Sequence, residues 1–217
     1  MERNRTGQVI AIVALIVGVV GLSVGFAAFS NTLTIKSSAT VTPDSSIFNV
    51  DFSDVSTKVL ADPVTPVVTP NTLVATEAAI DNTGSPTISN ISATFTEPGQ
   101  KAVYTFYAYN AGELDAYLKS IAFANATGGS TTKVCTAATG TTDSLVQEAC
   151  NGITLSVQVG SQAATTGSVS SITGHKLEKA KADTVVVTLE YAENSSSADG
   201  DFTVAFGDVT LNYSSVD

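Results

Sequence analysis

Two patterns of apolar residues divide this chain. From Val9 to Ala28 every residue is apolar or small (VIAIVALIVGVVGLSVGFAA), and no charge occurs between Thr6 and Ile35. A run of about 20 such residues is long enough to cross a bilayer as a helix. It has no polar face, which sets it apart from a surface helix of a soluble domain. From Phe48 onward the pattern changes to period two, the signature of half-buried strands.

The period-two stretches predict the elements in order. Residues 32–41 alternate Leu33 and Ile35 with threonines before small residues and Val41. The sequence Pro43-Asp44-Ser45-Ser46 breaks that strand. Phe48, Val50 and Phe52 alternate with Asn49 and Asp51. Pro63, Pro66 and Pro70 mark residues 60–71 as an edge or an extended linker, because proline removes a donor from the ladder. One strand is expected over 72–80, ending at the turn Asp81-Asn-Thr-Gly84. Another is expected over 86–96, with Ile91, Ala93 and Phe95 on one face. After the turn Glu97-Pro-Gly-Gln100, residues 101–110 (KAVYTFYAYN) are the most β-prone run in the chain. They place Tyr104 and Phe106 on one face, Tyr107 and Tyr109 on the other. Further strands are read at 117–124, at 153–159, at 185–191, and at 202–213 with a bend at Gly207.

Eight or nine short strands separated by turns predict an all-β fold, a jelly-roll-like β-sandwich preceded by an N-terminal hydrophobic signal or anchor helix. Residues 28–217 read as a single domain. Within it, residues 125–151 depart from the pattern and form an excursion rich in Thr, Gly, Ser and Ala. Two helical turns are expected there over 143–149, with Asp143 as N-cap.

Arg3 and Arg5 before the apolar run, and Gly25-Phe26-Ala27 after it, complete a secretory signal pattern with cleavage between Ala27 and Ala28. Two alternatives remain open: a retained membrane anchor, or a pilin-type leader cut after Gly7. The net charge is −10, with 20 acids against 10 bases. Such a balance, with scattered lysines, offers no patch for nucleic acid or anionic lipid. Membrane contact is expected only through an uncleaved leader. The two cysteines, Cys135 and Cys150, are expected to pair as a disulfide in an exported chain, stapling the excursion. A zinc site is disfavoured because His175 is the only histidine.

Three stretches resemble the TasA/camelysin family of exported proteins. The leader exit Gly25-Phe-Ala-Ala-Phe-Ser30 is similar to the family's cleavage region. Residues 97–112 (EPGQKAVYTFYAYNAG) follow its pattern of Pro-Gly, an alternating strand and Asn-x-Gly. Residues 114–123 continue with alternating aliphatics. The resemblance implies a jelly-roll subunit of extracellular biofilm fibres, a homopolymer processed by a signal peptidase during export. It also implies donation of an N-terminal strand to the neighbouring subunit. Residues 28–41 are the natural donor, with Phe29, Leu33, Ile35 and Val41 as interface residues. The same strand folding back into its own domain is the alternative.

No enzyme is expected. His175, between Gly174 and Lys176, has neither a metalloprotease helix nor a G-x-S-x-G context around it, and reads as a surface loop residue. Acid pairs such as Asp199/Asp201 and Asp51/Asp54 lack the alternating ligands of a calcium loop. No catalytic residue, metal ligand or cofactor is therefore assigned. The competing function is an anchored or secreted β-sandwich that binds a surface glycan or a host protein.

Overall fold

The structure is a computed structural model, which describes residues 47–83 and 86–217. The expected leader, the expected cleavage site at Ala27 and Ala28, and the expected donor residues Phe29, Leu33, Ile35 and Val41 lie outside the described residues. Among the described residues, no helix is long and apolar enough to cross a membrane.

The protein is mostly β, in antiparallel sheets. The strands before the central one are β1 (Val50–Ser53), β2 (Val67–Thr69), β3 (Val74–Ala75), β4 (Ala79–Asp81), β5 (Thr87–Ser89) and β6 (Ala93–Thr94). They are followed by β7 (Lys101–Asn110), β8 (Ala116–Phe123), β9 (Lys133–Ala137), helix α1 (Asp143–Asn151) and β10 (Ile153–Val159). The last are β11 (Lys176–Leu177), β12 (Ala182–Tyr191), β13 (Phe202–Phe206) and β14 (Val209–Ser214).

β7 is the axis of the largest sheet. Its residues alternate between buried (Ala102, Tyr104, Phe106, Ala108) and partly exposed positions, as the period-two pattern requires. One edge pairs with β12 from Lys101↔Glu190 to Tyr109↔Ala182, and β12 continues to β10. The other edge is shared. β1 pairs with the second half of β7 and β2 with the first, so the proline-flanked segment is an edge strand, as expected.

Opposite this sheet runs a long bent ladder. β8 pairs with β14, and β9 pairs with β13. β13 and β14 are consecutive, joined at Gly207 and Asp208, so the chain end lies first against β9 and then against β8. On the far side of β8 lie β11 and a bridge from Ile121 to Val169. Side chains from both sets of strands share one core, including Tyr104, Leu118, Ile121, Leu189 and Phe202. Two edge-to-face pairs, Phe95–Tyr191 and Tyr191–Phe202, carry it across the layers.

Several expectations are corrected. Fourteen strands are present among the described residues, not eight or nine. Residues 72–80 form two short strands, β3 and β4, rather than one. Residues 86–96 split into β5 and β6 at Asn90, whose φ of 63° is left-handed. Here the backbone bond from Thr76 N–H to Ser92 C=O at 3.1 Å is joined by a side chain: Tyr104 Oη lies 2.9 and 2.8 Å from the carbonyl oxygens of Thr76 and Ser92 and donates to them. The excursion contains a strand, β9, that the sequence pattern did not reveal. Helix α1 begins at Asp143 as expected, but its N-cap residue is Thr142.

Candidate functional site

β14 presents Val209, Leu211 and Tyr213 to the core side, yet all three are only partly buried. Val209 and Leu211 line an open cleft of about 740 Å³. Its floor is the inner face of the large sheet, crossed diagonally by Phe52 on β1, Phe106 on β7, Val185 and Val187 on β12, and Val157 on β10. Phe52 and Phe106 meet edge-to-face with ring centroids 5.5 Å apart. One wall is formed by residues 206–211, from the end of β13 into β14. The other is formed by residues 86–91, which include β5.

Among the described residues β14 pairs only with β8, and β5 only with β4. Each therefore carries an unpaired row of backbone N–H and C=O groups on its other side. Such a row is a template for a further strand. The outer sides of β1 and β10, by contrast, are occupied. Asn82 closes β1 with its side chain, accepting from Phe52 N–H at 3.0 Å and donating to Phe52 C=O at 2.8 Å. β10 is covered by a bridge from Val157 to Thr165.

One end of β14 is tied down by a buried polar cluster. Asp183 Oδ2 on β12 accepts from His175 Nε2 at 2.8 Å and from Tyr213 Oη at 3.0 Å. Gln162 Nε2 lies 3.1 Å from His175 Nδ1. An amide nitrogen can only donate, so this arrangement places the ring proton of a neutral histidine on Nε2, toward the carboxylate. Burial, reinforced by the charge of Asp183, pushes the Tyr213 phenol far above its ordinary range, so Tyr213 stays a donor. Gly160 makes room for the cluster, because a Cβ there would come within 2.8 Å of His175 Cε1. His175 is thus corrected from a surface loop residue to a buried one, 8% exposed. Among the described residues, the ring's hydrogen-bond partners are Gln162 and Asp183.

The predicted disulfide is present. Cys135 and Cys150 are joined with Cα atoms 6.0 Å apart, linking β9 to α1. α1 buries Val146, Ala149 and Cys150 against the core. Lys133 on β9 donates to the carbonyl of Ile153, tying the excursion to β10, and burial lowers its pKa.

Tyr107 and Tyr109 lie on the outer face of the large sheet, and Tyr104 and Phe106 on the inner, as read from the alternation. Beside Tyr109 in register stands Asp51, which accepts from Asn49 Nδ2 at 2.7 Å. Its carboxyl is raised from the ordinary range, burial outweighing that hydrogen bond. Among the described residues, no three His, Cys, Asp or Glu side chains gather as a metal site.

No family model matches the chain, and no curated protein or solved structure matches it. The cleft was not legible beforehand. Val209 and Leu211 alternate as any core-facing pair does, and sequence carries no mark for the absence of a neighbouring strand.

Proposed function

We propose that this chain is an exported structural subunit of extracellular fibres, of the TasA/camelysin kind. In this reading it is a jelly-roll-like β-sandwich whose N-terminal strand enters the cleft of the next copy. The observation that carries the reading is the cleft itself: an apolar floor, two walls and an unpaired edge along β14. It has the form of a place for one more strand.

The donor has the matching pattern. Phe29, Leu33, Ile35, Ala39 and Val41 all fall on the odd-numbered face of residues 28–41, and Ser30, Thr32, Thr34, Lys36 and Thr40 on the even. An extended segment with that alternation buries one face on the floor while its main chain pairs with β14. Donation from copy to copy is heterologous, so it propagates instead of closing. Export by a signal peptidase that cuts at Ala28 frees the donor. The disulfide fits an oxidising, extracellular location.

The test is N-terminal mass spectrometry of the native protein with electron microscopy of the same sample. Filaments built from chains that start at Ala28 support the reading. Proline at position 34 (Thr34→Pro) then abolishes filaments while the domain stays soluble. Unchanged filaments from that variant sink the donor assignment.

The volume of the cleft favours a second reading, because about 740 Å³ lies within the range of small-molecule sites. In it, the chain is a secreted or anchored binding module whose ligand fills the cleft. A monomer that forms no filaments would select it, with the leader retained if the module is anchored and removed if it is secreted.

A further inference from the structure

The cluster around Asp183 joins the β10–β12 side of the large sheet to the β11–β8–β14 sheet. Asp183 belongs to β12, in the sheet that floors the cleft. Tyr213 belongs to β14, the wall of the cleft. His175 precedes β11, and Gln162 lies in the loop after β10. Tyr213 also sits where the β14–β8 register shifts, between Asn212 and Tyr213. At that point the ladder positions β14 less firmly than a regular register would. The wall residues Val209 and Leu211 lie just before the shift. The chain Tyr213 Oη to Asp183 Oδ2 to His175 Nε2, with bonds of 3.0 and 2.8 Å, therefore runs from the floor to the wall and bypasses the irregular ladder.

We propose that Tyr213, Asp183 and His175 are positioning residues for strand acceptance. They hold β14 at a fixed height over the large sheet, so that the cleft stays preformed before anything enters it. This rests on the reading of the cleft as a strand acceptor. A preformed acceptor loses less freedom on binding than one that must be ordered by its ligand. The groups facing His175 are Asp183, the Gln162 amide and the turn at Gly160. Those facing Asp183 are His175 and the Tyr213 phenol. The phenol supplies a directional bond without adding charge, which suits a fixed spacer.

The experiment compares the full-length chain with Tyr213→Phe and Tyr191→Phe. The control makes the same chemical change at a fully buried ring. Tyr191 Oη donates to the carbonyl of Ser196, and Tyr191 does not line the cleft. Two readouts are taken: amide hydrogen exchange over 209–212, and the critical concentration for filament growth. The expected result is faster exchange over 209–212 in Tyr213→Phe alone. With it, the critical concentration rises about tenfold, the size of effect that the loss of one such bond produces. Tyr191→Phe leaves both near wild type even where its urea midpoint falls as far. Equal exchange over 209–212 in the two variants overturns the positioning role. If wild type forms no filaments, the fibre reading fails, and exchange over 209–212 still decides whether the cluster fixes β14.

Discussion

Gly207 lies flat against the main chain of Ala124: a Cβ built on it would stand 2.0 Å from the Ala124 carbonyl oxygen. The same Cβ would be 2.7 Å from the carbonyl carbons of Ala124 and Asn125. These are backbone atoms, held by the bond from Ala124 N–H to Asp208 C=O at 2.8 Å. The bend that lets β13 and β14 serve two partners therefore needs a residue without a side chain.

Gly207→Ala is accordingly expected to destabilise the fold by about 3 kcal/mol, the upper end of overpacking costs. Gly200 supplies the contrast. A Cβ there would meet Thr141 Oγ1 at 2.6 Å, a side-chain atom that can rotate away. Gly200→Ala should cost less, about 1 kcal/mol. Urea unfolding of the two variants checks this; equal losses would contradict the account of the bend.

Removing the staple should weaken the domain without dissolving it. The bridge spans 15 residues, for which chain entropy gives about 3 kcal/mol. The expected outcome for Cys135→Ser with Cys150→Ser is a lower urea midpoint with strand content unchanged. Protease cleavage should move into residues 138–152, since α1 is then held by Val146, Ala149, its end contacts and the bond from Gln147 Nε2 to the Cys135 carbonyl at 3.3 Å. Cleavage rates no faster than wild type would mean that packing alone holds the helix.

Asp51 sets a small pH dependence. Its carboxyl is raised in the folded protein, chiefly by burial, so the folded state binds that proton more tightly than the unfolded chain does. The contribution is present below the unfolded value, near 4, and is lost as pH rises through the folded one. Asp51→Asn should then stabilise the protein at pH 7 by ~0.5 kcal/mol, a figure discounted for solvent screening, and give no gain at pH 3. Thermal melts at the two pH values check it. A gain at pH 3 equal to that at pH 7 would place the effect outside ionisation.

The long alternating runs were legible because burial on one face leaves its trace in every second residue. β7, β10 and β12 fall where the pattern put them, and so does the bend at Gly207. Short elements were not. Residues 86–96 look like one strand, but Asn90 takes a left-handed backbone that parts β5 from β6. β9 hides in a stretch of threonine, glycine and alanine because its burial is imposed from outside, by α1 and β13. His175 was misread for a related reason. Its neighbours Gly174 and Lys176 suggest a loop, while its partners Gln162 and Asp183 are 13 and 8 positions away. The disulfide was legible because only two cysteines are present to pair.

Asn82 on the outer side of β1, and the Thr165 bridge on β10, have a consequence for how copies can connect. The outer sides of β1 and β10 are occupied, and the cleft lies between the unpaired sides of β14 and β5. In the reading proposed above, a unit with one receptive slot and one N-terminal donor strand has a valence of two. Assemblies made through that slot grow as unbranched threads, one contact added per subunit, whatever the concentration. Their length responds to supply of subunits, and a network of such threads needs its cross-links from a different surface.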